Sequence, residues 1–352
     1  MTNTKSGPHQ DAGSVRRPYD LFNGDADGMC SLHQMRLAHP VEAILVTGVK
    51  RDIALLERIP LRQASDVSVF DVSLDVNVAA LKRLLDDGCH VTYFDHHAAR
   101  HAFAHSRLRL FWDESPDVCT SLLVDRYLQG RFRAWAAVAA FGDNLDPVGT
   151  ALADKMAMSE QQTRALQRLG TMLNYNAYGE SVADLHIAPD VLYRALHPFA
   201  DPLDFIDDAR EYRTLLDGYQ CDAMHMEGLL PQWTAPCGAI YVLPNARWAR
   251  RISGVFANRL AATDAGRSWA VLTEQSSGCY SASVRSGAPM TAPAHRFCES
   301  FASGGGRKMA AGVNCLPAND LERFAAAFFD YFSSANAPVD HLADSLKASP
   351  PP

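Results

Sequence analysis

The sequence predicts an α/β protein. Its N-terminal part is a mainly parallel, doubly wound sheet, followed by a helical connector and a smaller C-terminal α/β domain. Three observations carry this. Over the first 150 residues short apolar runs alternate with helix-like stretches, the pattern of βαβ units. Residues 155–235 are helix-like with many polar breaks, and from about Cys237 a second strand–helix pattern begins. A chain of 352 residues, 47% hydrophobic and 21% charged, is long enough for two such domains.

In order, residues 1–17 and the tail from Ser333 are polar or proline-bearing ends expected to be disordered. In the first domain, 18–154, "AILVTGV" (43–49), "VSVFDVS" (67–73) and "HVTYFDHH" (90–97) read as strands. "SLHQMRLA", "NVAALKRLLDDG" and "CTSLLVDRYLQG" read as helices, with Gly88 and Gly130 placed as C-caps. In the second domain, 236–332, "GAIYVL", "SWAVLTEQ" and "GCYSASVRSG" are strands and "RRISGVFANRLAAT" is a helix. "APAHRFCESFASGGGRKMAAGVNCL" then reads as a helix running into a glycine triplet, and "LERFAAAFFDYF" as a helix whose apolar stripe packs on its own domain.

The net charge of −7 removes any overall attraction to long nucleic acid or an anionic membrane. No apolar run approaches the ~20 residues of a membrane span, and the first residues are too polar for a signal peptide. Eight cysteines without a C-x-x-C spacing argue against a zinc knuckle and fit reduced thiols, so the expectation is a cytoplasmic protein.

The chemistry lies at the strand ends. Three strands finish on Asp25 and Asp27, on Asp71, and on Asp95-His96-His97, while "FGDNLD" offers Asp143 after the helix-like "RAWAAVAA". Parallel strands bring such ends to one edge of the sheet. Alone, D-x-D suits a helix N-cap, with Asp27 well placed for it. The EF-hand reading of "NGDADG" fails, because its twelfth position is Gln34 rather than glutamate. Carboxylates with imidazole suit Mn²⁺ or a related divalent ion, and two such ions bridged by a carboxylate clamp a phosphoryl centre.

"GDADG", "FDVS", "FDHH" and "GDN", in that order, resemble the motifs of the DHH phosphoesterase superfamily. The C-terminal "GGGRKMAAG", preceded by "SVRS", resembles the glycine-rich element of the DHH-associated domain of RecJ-type exonucleases and nanoRNases. The resemblance implies two Mn²⁺ ions, with Mg²⁺ or Co²⁺ as substitutes, and an active-site cleft between the domains. Asp25 and Asp71 would hold one ion, and Asp27, Asp71, His96 and Asp143 the other, with Asp71 bridging. His97 would contact the substrate phosphate or the attacking water. Arg285 and the backbone of Gly304, Gly305 and Gly306 would hold a substrate phosphate.

Two departures from that pattern stand out. Leu21 and Asn23 occupy the places of a further upstream ligand, leaving Asn23 a weak neutral contact, and Arg307 replaces a histidine while keeping its place as a substrate-phosphate contact. The implied activity is hydrolysis of short single-stranded oligonucleotides or small nucleotide phosphoesters. Polyphosphate or pyrophosphate hydrolysis, or nucleotide sensing without turnover, are the alternatives. Neither a membrane nor a long duplex is an expected partner, and a homodimer is left open.

Overall fold

The computed structural model describes residues 16–334, in two compact units divided after Gln220. The predicted disordered ends therefore fall almost wholly outside the described residues. No helix among the described residues is long and apolar enough to cross a membrane.

The first unit contains β1 (Arg17–Phe22), α1 (Ala26–Ala38), β2 (Ile44–Val46), β3 (Ala64–Phe70), α2 (Leu74–Asp86), β4 (His90–Asp95) and β5 (Leu108–Trp112). These are followed by α3 (Thr120–Tyr127), α4 (Arg133–Gly142), α5 (Asp146–Lys155), α6 (Glu160–Tyr175), α7 (Pro189–Leu196) and α8 (Pro202–Asp208), and by α9 (Arg210–Met224), which runs across the division at Gln220. All five strands are parallel, in the order β2-β1-β3-β4-β5. The order reverses at β1, so a crevice opens beyond the carboxyl ends of β1 and β3, where ligands of such sheets bind.

Successive residues leave a strand on opposite faces. Leu21, Val69 and Tyr93 pack with Leu81, Leu84 and Leu85 of α2 on one side. Phe22, Phe70 and Phe94 pack on the other side with α1, α3 and α4. Both faces are covered, as a parallel sheet requires.

The stretch from residue 155, a connector by sequence, is part of this second layer up to Gln220. Leu166, Leu169 and Leu173 of α6, Leu192 and Leu196 of α7, and Phe205 of α8 are all buried in it. A capping box, Ser159 with Gln162, starts α6. Its Gly170 meets Gly142 of α4 so closely that a Cβ on Gly170 would sit 2.2 Å from Val138 O. Polar breaks hide this amphipathic packing from a reading of composition.

The second unit contains β6 (Trp233–Ala235), β7 (Gly238–Leu243), α10 (Arg247–Thr263), β8 (Ser268–Glu274) and β9 (Cys279–Arg285). It continues with α11 (Ala294–Cys298), β10 (Gly304–Gly306), β11 (Ala310–Pro317) and α12 (Leu321–Ser334). Its mixed sheet has the order β10-β11-β9-β8-β7-β6, with β7 and β8 parallel across α10. The stripe of α12 packs within its own unit: Phe297 of α11 lies 5.2 to 5.7 Å, ring to ring, from Phe324, Phe328 and Phe332.

Candidate metal centre

Asp25, not Asp27, caps α1. Its Oδ1 accepts the backbone N–H of Asp27 and of Gly28, each at 3.1 Å. The glycine is needed there, since a Cβ on Gly28 would lie 2.3 Å from Asn23 O. Asp27 is left in the first turn and faces the start of α3. Its Oδ1 accepts from Ser121 N and its Oδ2 from Thr120 N, both at 2.7 Å, where the helix dipole favours an anion.

Asp71 follows β3 with φ +59°, a backbone conformation unusual for a residue with a side chain. Such strain concentrates where function fixes a side chain. Its Oδ1 accepts from Thr120 Oγ1 at 3.0 Å and lies 3.2 Å from His96 Nε2. Asp143 is the C-cap residue of α4, the helix that the apolar "RAWAAVAA" predicts and that runs on through "FG". A carboxylate at a helix C-terminus opposes the dipole and calls for a nearby cation.

His96 ties the group together. Its Nδ1–H donates to Val118 O at 2.9 Å, so the Nε2 lone pair faces the acids. That nitrogen is 3.7 Å from Asp27, 3.2 Å from Asp71 and 3.8 Å from Asp143. His97 is the more open of the pair, its side chain 41% exposed, and Asp95 holds its Nδ1 at 2.7 Å. Among the described residues, donors within 4.8 Å of one another form two overlapping groups, Asp71-His96-His97 and Asp27-His96-Asp143.

Three carboxylates around one imidazole nitrogen fit a divalent cation of the Mn²⁺ type. The electrostatics agree. Burial raises the pKa of Asp27, and the charge of Asp71 raises it further. Burial also acts to raise Asp71, but the hydrogen bond from His96 and the charges of both histidines outweigh it and hold that carboxyl low. Burial disfavours a charged His96, yet the hydrogen bond to Asp71 and the surrounding carboxylates push its pKa up to about 10. A proton on Nε2 thus stands where a metal ion would compete for the same lone pair.

Asp25 stands apart from these groups. Its Oδ2 forms an ion pair with Lys50 Nζ, and the carboxylate is 2% exposed. Burial raises the Asp25 pKa, with Lys50 acting against it. Burial likewise opposes the Lys50 ammonium, but Asp25 outweighs it and holds the lysine above its ordinary value. Asn23 Nδ2 donates to Lys50 O at 3.2 Å, and its buried Oδ1 has no hydrogen-bond partner among the described residues.

The sequence assigns no role to Lys50, Asp95 or Thr120. For Lys50 a signal exists, an ionisable residue just beyond the β2 run, like the acids beyond the other strands. Thr120 and Asp95 act through backbone and ring geometry, which no spacing encodes.

The remaining predicted residues lie in the second unit. Arg285 ends β9, where Asn258 Oδ1 accepts from its Nε at 2.7 Å and Val284 O from its Nη1 at 3.0 Å. Gly304–Gly306 is not a loop but the edge strand β10, in register with Ala311–Val313. A Cβ on Gly304 would lie 1.7 Å from Cys298 O, and Gly306 has φ +140°, so both positions require glycine. Arg307 is exposed in the turn that follows, its N–H donating to Ala310 O at 2.8 Å, and Ala310 pairs with Arg285.

No family model and no curated protein matches the chain. Among solved structures, the exonuclease RecJ bound to manganese is similar at 20% identity and a TM-score of 0.56, covering 92% of this chain and 90% of that one. RecJ from Thermus thermophilus in complex with Mn²⁺ is similar at 18% identity and a TM-score of 0.55, over 91% of this chain. This chain spans about half of that RecJ, 52%. A pGpG-specific phosphodiesterase, PggH from Vibrio cholerae, matches at 10% identity and a TM-score of 0.50, over 92% of this chain and 99% of that one. With its parallel five-stranded sheet and its second mixed sheet, the chain shares the fold of these solved structures.

Proposed function

We propose that this protein is a divalent-metal-dependent phosphoesterase, preferring Mn²⁺, that hydrolyses short single-stranded oligonucleotides or small nucleotide phosphoesters. One observation carries the reading: Asp27, Asp71 and Asp143, from three different elements, converge on Nε2 of His96. Asp27, Asp71, His96 and Asp143 would hold the ion. A divalent ion there supplies Lewis-acid polarisation of a phosphoryl oxygen and acidifies a water.

The chain's own groups do the rest. Thr120 Oγ1 orients Asp71, and the start of α3 fixes Asp27. His97, steadied by Asp95 and open on its other side, donates to a phosphate oxygen or to the leaving group. In the second unit, Arg285, the edge strand Gly304–Gly306 and Arg307 offer a guanidinium fork, backbone N–H groups and a second permanent cation for a terminal phosphate. Proteins of the same fold include an exonuclease, a pGpG-specific phosphodiesterase and an exopolyphosphatase-related protein, so polyphosphate is the alternative substrate to set beside the nucleotides.

The test is hydrolysis of 5′-phosphorylated di- to pentanucleotides with added Mn²⁺, by the wild type and by Asp71→Ala. Mononucleotide release by the wild type alone supports the reading, and the length preference narrows the substrate. Nucleotide binding without hydrolysis under any divalent ion overturns it in favour of a sensor.

A further inference from the structure

We infer that the ammonium of Lys50 takes the place of one cation, so that this centre holds a single divalent ion rather than a pair. The inference rests on the metal site proposed above and concerns its stoichiometry.

Lys50 is a built part of the site, not a passing surface lysine. Its backbone is fixed on both sides: its N–H donates to Ala177 O at 2.8 Å, and its carbonyl accepts Asn23 Nδ2 at 3.2 Å. Its Nζ pairs with Asp25 Oδ2 and donates to Asn174 Oδ1 at 3.2 Å, beside the ring of Tyr178. Asp25 therefore has one oxygen capping α1 and the other neutralised by a positive charge from the chain itself.

The donors leave little for a second ion. The residues just before Asp25 add no anion, because Leu21 is fully buried in the sheet and Asn23 offers only a neutral amide oxygen. Both donor groups that come within reach of a common ion include His96 and omit Asp25. With Nδ1–H committed to Val118 O, His96 has one lone pair to give, and one lone pair holds one ion. A dication beside Asp25 would also have to displace or tolerate the ammonium already paired there.

The experiment counts metal on the metal-stripped full chain titrated with MnCl₂, by calorimetry and by electron paramagnetic resonance. The wild type should take up one Mn²⁺ per chain, with a six-line spectrum free of exchange coupling. Lys50→Ala should admit a second ion and show a coupled pair. Asp25→Asn retains an oxygen to cap α1 and should leave the count at one, and it decides the matter if Lys50→Ala does not fold. Two coupled ions in the wild type, a count that falls in Asp25→Asn, or a single ion in a folded Lys50→Ala would each overturn the inference. A wild type that binds no Mn²⁺ overturns the metal-centre reading itself, a distinct result.

Discussion

Asp95 Oδ1 holds His97 Nδ1 at 2.7 Å, and the same oxygen accepts the backbone N–H of His96 at 2.9 Å and of His97 at 3.2 Å. The fully buried carboxylate thus sets the turn that presents both histidines, while its Oδ2 accepts Leu74 N at 3.2 Å. Asp95 is a positioning residue.

Asp95→Asn should lower kcat about 10- to 100-fold, the usual effect of losing a group that orients an active imidazole. A double-mutant cycle separates positioning from general damage: in a His97→Ala background, Asp95→Asn should cost little further activity. A full additional loss in that background would show that Asp95 acts on something other than His97.

His33 gives the first unit a pH dependence. The ring is buried against Trp135, Tyr193 and His197 and sits 2.8 Å, through Nε2, from Phe199 O. Burial lowers its pKa to about 3. The unfolded chain, with an ordinary value near 6.5, takes up the proton first, so stability is full above that pH and is lost as pH falls toward 3. At pH 5 the loss is about 2 kcal/mol relative to neutral pH. Between pH 7 and pH 5 the unfolding free energy from urea titration should fall by about 2 kcal/mol more in the wild type than in His33→Gln, a comparison in which the other titrating groups cancel.

Gly28→Ala tests the fit between β1 and α1. The new Cβ would lie 2.3 Å from Asn23 O and 2.7 Å from Asn23 N, both backbone atoms that cannot swing away. The expected cost is about 3 kcal/mol. Gly305→Ala, where nothing lies within 4 Å of the added carbon, is the control and should leave the denaturation midpoint nearly unchanged.

Metal binding should be visible as stability. An ion that binds only the folded chain adds about 2.7 kcal/mol at a hundredfold excess over its Kd. Thermal melts should therefore rise with Mn²⁺ and return with chelator, and Asp71→Ala should abolish the rise while melting normally without metal or somewhat lower.

Much of this was legible in the sequence, because it is written in local patterns. Strand–helix alternation, the strand runs ending near Phe70 and Asp95, the elements of the second unit and the apolar stripe of α12 all follow from periodicity and turn chemistry. So does the succession of Asp25, Asp27, Asp71, His96 and His97 along the chain, since a parallel sheet gathers successive strand ends.

Tertiary structure decided the rest. That α4 continues past "RAWAAVAA" through "FG" to Asp143 goes with the packing of Gly142 on Gly170. That residues 155–220 belong to a core follows from helices whose buried faces only their neighbours reveal. The partnership of Asp25 with Lys50 joins residues 25 positions apart across α1 and β2, where neither period 2 nor period 3.6 links one charge to the other. The acids could be read along the chain, but the charge that neutralises one of them is set by where the chain folds back.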